Sequence, residues 1–137
     1  MIFQTFLNKE VKTLITMNLL IDSELTISII QKNFNEVYPF LKLEFLDTLH
    51  IRSKFSFKSI KLSPDNKLKI LTGYDIKEQI NINYERTILE VERDFFEKLV
   101  IFVRIYRRTG KVWVETSLTD NWTLKQQNEE GKQLSML

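Results

Sequence analysis

The chain has no cysteine among its 137 residues, so it can form no disulfide, thiolate metal site, iron–sulfur cluster or cysteine nucleophile. It has one histidine, His50, which excludes a metal site built from several imidazoles. Glycine occurs three times, at 73, 110 and 131, so neither G-x-G-x-x-G nor a Walker-type phosphate loop can be written. Two prolines and three glycines leave no material for a long flexible linker. No apolar run approaches the roughly 18 residues that a membrane-spanning helix needs; Lys9, Glu10 and Lys12 interrupt the most apolar stretch at the start. The net charge of +2 is too small to imply a nucleic-acid or membrane partner by itself.

What the chain does have is apolar mass. Hydrophobic residues make up 43%, with ten Phe, four Tyr and two Trp, enough for a sizeable core in one domain. The absence of cysteine and of a visible signal peptide fits a reducing cytoplasm. The expected organisation is a single domain over 1–137: a core over about 12–117, a C-terminal helix over about 120–131 and an N-terminal extension over 1–16. That extension carries Ile2, Phe3, Phe6 and Leu7 at helical spacing, and Met17 behind it is a second candidate start.

The strongest internal signal is repetition. Ile27, Ile30, Phe34, Val37 and Tyr38 recur at spacings of three and four, one face of a helix, with Thr26 placed to cap it. Sixty-one residues later Ile88, Val91, Phe95 and Leu99 repeat that face, opened by Thr87 and Glu90 as a capping box. Pro39 stops the first helix, because the residue before a proline avoids helical geometry. Behind each helix the period falls to two, over Leu41, Leu43 and Phe45 and over Val103 and Ile105. The second copy has one residue more, expected in its helix–strand turn. Ahead of each helix lie Leu19 and Ile21, and Ile80 and Ile82.

The unit is therefore strand–helix–strand, written twice. The pattern resembles a ferredoxin-like α/β plait over roughly residues 12–107. That resemblance implies an α+β domain whose antiparallel sheet of four to five strands carries two helices on one face. "LTDNWTLKQQNEEG" and "YPFLKLEF" are also similar to small bacterial proteins without an assigned activity, so this second resemblance brings no chemistry with it.

Three stretches fall outside the plain pattern. Residues 47–77 are long for a hairpin; Phe55 and Phe57 alternate there as in a strand, and Ser63, Pro64 and Gly73 suit the cap, first position and stop of a short helix. After Thr109-Gly110 the run "KVWVETS" reads as a fifth strand returning on the fourth. Asp120 or Asn121 then caps a final helix expected to stop at Gly131, with Trp122 and Leu124 as its anchors.

Candidate sites follow from charge and aromatics. His50 near Asp47 is a weak candidate base, since no nucleophile motif accompanies it; a solvated loop residue is the plainer reading. Lys54, Phe55, Phe57 and Lys58, with Arg104, Arg107, Arg108 and Lys111 about the Thr109-Gly110 turn, form the pattern by which plait sheets stack and neutralise single-stranded nucleic acid. The plainer reading puts the two Phe in a core and uses the lysines to guard a sheet edge. Tyr106, Trp113 and Trp122 are candidates for an interface or a small ligand, with contact to a second copy or to the C-terminal helix preferred. The leading expectation is a non-enzymatic interaction or small-ligand-binding module that self-associates through its sheet face, as a homodimer or with another protein. A nucleic-acid-binding module and a small cofactor-free plait enzyme are the alternatives. No cofactor, metal or membrane partner is expected.

Overall fold

The computed structural model describes residues 17–47 and 63–136. The proposed N-terminal extension over 1–16 lies outside the described residues, as do His50, Lys54, Phe55, Phe57 and Lys58. The described chain is α+β. Its elements are β1 (Asn18–Asp22), α1 (Ile27–Val37), β2 (Leu41–Phe45), α2 (Lys69–Thr72), β3 (Lys77–Asn81), α3 (Ile88–Leu99), β4 (Val103–Thr109), β5 (Val112–Glu115), a 3₁₀ turn (Ser117–Thr119) and α4 (Leu124–Ser135).

Both repeat helices form where their apolar stripes require. Ile27, Ile30 and Phe34 of α1 and Ile88, Val91, Phe95 and Leu99 of α3 are buried in one core. Thr26 accepts from the Ile29 amide, and Thr87 with Glu90 closes the full capping box. Thr87 donates enough hydrogen-bond stabilisation to hold the Glu90 carboxyl below its usual range. The extra residue of the second copy lies in the helix, not in the turn as expected: α3 has 12 residues against 11 in α1. The cost is a left-handed Val100, φ 55, at its C-terminus. Phe45 and Phe95 meet edge to face at 6.0 Å across the centre of the core, and the buried Tyr38 hydroxyl donates to the Ile82 carbonyl.

The strands pair antiparallel in two ladders, β1–β3 and β2–β4–β5. A single sheet of four or five strands is not present among the described residues; β2 lies beside β4, not beside β3. The register gives the reason. Leu19 faces Ile80, and these are the same position of the repeat, 61 residues apart. Leu43 faces Ile105, again equivalent positions once the extra helical residue is counted. A local twofold therefore runs through both ladders, and each ladder takes one strand from each half. Pairing two equivalent strands about such an axis makes them antiparallel.

The symmetry extends beyond the strand–helix–strand unit. In the first half Ile27 and Ser28 donate to the carbonyls of Asn66 and Pro64, and Leu68 and Lys69 donate to Leu25 and Ser23. In the second half Ile88 and Leu89 donate to Trp122 and Asp120, and Leu124 and Lys125 donate to Arg86 and Tyr84. Each half thus has a clasp that satisfies the free amides at the start of its own helix and drops a leucine, Leu68 or Leu124, into the core. Ser63 and Pro64 belong to this clasp and do not open α2, whose N-terminal flank is Leu68; Gly73, left-handed at φ 73, does close it.

α4 also departs from expectation. Its cap is Thr123, in a capping box with Gln126, and it runs through Gly131 to Ser135. Gly131 is where the helix crosses the sheet: an added Cβ would lie 2.9 Å from Phe40 Cβ, 3.0 Å from Arg107 Cγ and 3.1 Å from the Arg108 carbonyl. In an open helix, replacing glycine by alanine stabilises by about 1 kcal/mol. Here two of the three contacts are with backbone or Cβ atoms that cannot swing away. Gly131→Ala is expected to lower the urea midpoint of unfolding, with an unchanged or raised midpoint counting against this close crossing.

Candidate interaction site on the three-stranded sheet

The β2–β4–β5 sheet gathers most of the described candidate residues, and strand alternation divides them between two faces. Leu41, Leu43, Val103, Ile105 and Arg107 look inward; Lys42, Glu44, Arg104, Tyr106, Arg108, Trp113 and Glu115 look outward. The four cations expected to act together at the Thr109-Gly110 turn are thus separated. Arg107 is turned under α4, where its Nη1 donates to Gln127 Oε1 at 3.0 Å and its guanidinium lies 5.9 Å from the Trp122 ring. Gln127, fully buried, also donates to the Thr119 carbonyl and hydroxyl, so it locks the 3₁₀ turn to the helix. Trp122 is accordingly a packing partner of Arg107 and does not share a face with Tyr106 and Trp113.

On the outer face Lys42 reaches over Trp113 at 5.7 Å and pairs with the buried Glu44 at 2.8 Å. Gln31 of α1 donates to Glu44 as well. Arg104 approaches Glu115 at 3.9 Å, with both side chains about half exposed, and Arg108 Nε donates to the Gly110 carbonyl. Partial burial pushes the Tyr106 hydroxyl above its usual pKa, with Glu115 adding to the effect.

The two edges of the sheet differ. On β2 the outward carbonyls are taken: Gln31 Nε2 donates to Leu43 at 2.8 Å and Asn35 Nδ2 to Leu41 at 3.0 Å. Arg108 donates its amide to Phe40, so its backbone groups point toward β2, and those of Arg107 and Thr109 point toward β5. By the same alternation the N–H and C=O of Trp113 point away from β4. Among the described residues no strand lies beyond β5. Where β5 ends, Thr116 Oγ1 donates to the Ile105 carbonyl and Glu92 accepts the Ile105 amide at 3.0 Å, closing that part of the β4 edge.

Glu92 occupies the repeat position of Gln31, and each serves the backbone of an equivalent strand residue. The carboxyl has a different cost. Burial pushes it up to about 7; the Ile105 amide and Arg104 pull against the shift, while Asp120 and Glu115 add to it. Glu92 stands off the apolar stripe of α3, and nothing local signals that β5 stops one residue short of covering Ile105.

Among the described residues no group of three His, Asp or Glu is placed to hold a metal ion, and no helix is long and apolar enough to cross a membrane. A shallow groove of about 270 Å³ runs along α4, lined by Trp122, Gln126, Glu129, Glu130 and Gln133, which bring carboxylates and amides but no nucleophile. No family model, no curated protein and no solved structure matches the chain.

The raised Glu92 pKa sets a pH dependence with a defined sign. The folded carboxyl keeps its proton over a range where the unfolded one has released it, so stability is greatest below the ordinary pKa of 4.5 and falls as pH rises through about 7. Glu92→Gln keeps an acceptor for the Ile105 amide and removes the titration. It is expected to flatten the stability profile between about pH 5 and 8 and to raise stability at pH 8 by on the order of 2–3 kcal/mol. Parallel profiles for the two proteins, measured by urea unfolding, would contradict this.

Proposed function

We infer that the chain is a non-enzymatic interaction module, acting in the cytosol without a cofactor, whose three-stranded sheet associates with protein, in the first place with a second copy of itself. One observation carries the reading: β5 is an edge strand whose outward backbone groups meet no strand among the described residues, and it exposes apolar side chains. Val112 is 58% exposed, Trp113 and Val114 are half-buried, and Leu118 just beyond is 97% exposed. An exposed strand edge beside apolar side chains is a template for pairing unless it is covered. The opposite edge supports the contrast, since Gln31 and Asn35 engage the β2 carbonyls there.

The nucleic-acid alternative draws less support. Arg107, at the centre of the expected cationic cluster, is committed to Gln127 and Trp122 on the inner side. Arg104 lies near Glu115, and Arg108 bonds its own turn. The enzyme alternative names His50, which lies outside the described residues.

Sedimentation equilibrium tests the reading directly. The mass is expected to rise with concentration from 16.4 kDa toward twice that value, and Val112→Asp is expected to shift the midpoint to higher concentration by about tenfold or more. A constant monomer mass up to the solubility limit, with no retention on a column carrying the same protein, would overturn it.

A further inference from the structure

The segment Lys111-Val112-Trp113-Val114-Glu115 is palindromic in polarity, with opposite charges at its two ends. The geometry points to antiparallel pairing of this strand with the same strand of a second copy, on a twofold axis at Trp113. This rests on the self-association proposed above and specifies its register.

Three observations select that register. First, Trp113 is the central residue of the segment and its N–H and C=O point outward, as follows from the Arg108 amide bond to Phe40 on the far side of β4. Two antiparallel copies centred on such a residue exchange both of its backbone hydrogen bonds, the closed pair of an antiparallel ladder. A centre at Val112 or Val114 would bring together backbone groups that already serve β4. Second, centring on Trp113 sets Val112 opposite Val114 of the second copy, so two apolar pairs continue the inner face of the sheet. Third, Lys111 then falls opposite Glu115 of the second copy, and Glu115 opposite Lys111, giving two ion pairs on the same side as the tryptophans.

Neither charge is tightly held at home. Glu115 stands 3.9 Å from Arg104 with 52% of its side chain exposed, and Lys111 is exposed at the turn. A twofold sets each end of the strand against the other end of its copy, so matching polarity and opposite end charges favour pairing of this strand with itself. The left-handed Gly110, φ 63, keeps the hairpin turn tight, so among the described residues no strand covers the edge up to Lys111. The product is a sheet continuous across two molecules, β2–β4–β5 meeting β5–β4–β2.

Charge reversal separates this register from association of any other kind. Lys111→Glu in the full chain sets two like-charge pairs across the axis and is expected to weaken self-association about tenfold. Lys111→Glu combined with Glu115→Lys restores the attraction with its sign reversed and is expected to recover most of the loss. Lys32→Glu, the same charge change on the exposed face of α1, is expected to leave association within about twofold of the parent. Because the chain has no cysteine, Trp113→Cys adds a single thiol; mild oxidation is expected to yield a covalent dimer, the two Cα atoms of a closed antiparallel pair standing within disulfide reach. Association that survives Lys111→Glu unchanged, with no recovery in the double variant and no crosslink at 113, would overturn the register and leave self-association standing. A protein that stays monomeric throughout would overturn both.

Discussion

Everything in this structure depends on backbone pairing between the two halves of the chain. β1 finds its partner in β3 and β2 finds its partner in β4, so within each strand–helix–strand unit the two strands pair with the other unit and not with each other. A strand–helix–strand unit by itself has two strands that do not pair with each other and a helix whose apolar stripe lacks part of its cover. The twofold through Leu19–Ile80 and Leu43–Ile105 makes the two deficits complementary. It also accounts for a single core in which Phe34 and Phe95, repeat equivalents, are both fully buried.

The departures from symmetry are where the molecule gains individuality. Both halves clasp the start of their helix with a loop ending in a buried leucine, and both reach from the helix to the strand with the side chain at one repeat position. In the first half that side chain is Gln31, neutral at any pH, and it supplies a donor to a carbonyl. In the second it is Glu92, an acceptor for an amide, whose burial keeps a proton near neutrality. The backbone group presented decides which chemistry is needed. Between β4 and its clasp the second half carries β5 and the 3₁₀ turn, and α4 then crosses at Gly131 to hold Arg107 inward. β5 supplies the strand edge on which the proposed association rests.

Splitting of the cationic cluster follows from alternation along β4. Arg104, Arg107 and Arg108 are close in sequence, but residues an odd number apart in a strand stand on opposite faces. Arg107 therefore has a different environment from Arg104 and Arg108. Its position beneath a helix is stabilised by one buried amide and one aromatic ring rather than by solvent.

Local residue chemistry was enough to locate the repeat. Spacing set the faces of α1 and α3, Thr26 and Thr87 marked their starts, Pro39 marked one end, and alternation found β1 through β5. These are short-range properties, determined by backbone sterics and by which side chains can share a face. The clasps were divided into separate helix starts, because "SPDNKLK" and "TDNWTLK" sit at a different spacing from the rest of the repeat and their equivalence lies in hydrogen bonds to α1 and α3. The partner of each strand, the inward turn of Arg107, the burial of Glu92 and the outward backbone of Trp113 were decided only by tertiary structure. Each depends on a group brought near from another part of the chain, and no periodicity in one segment carries the identity of its neighbour across the fold.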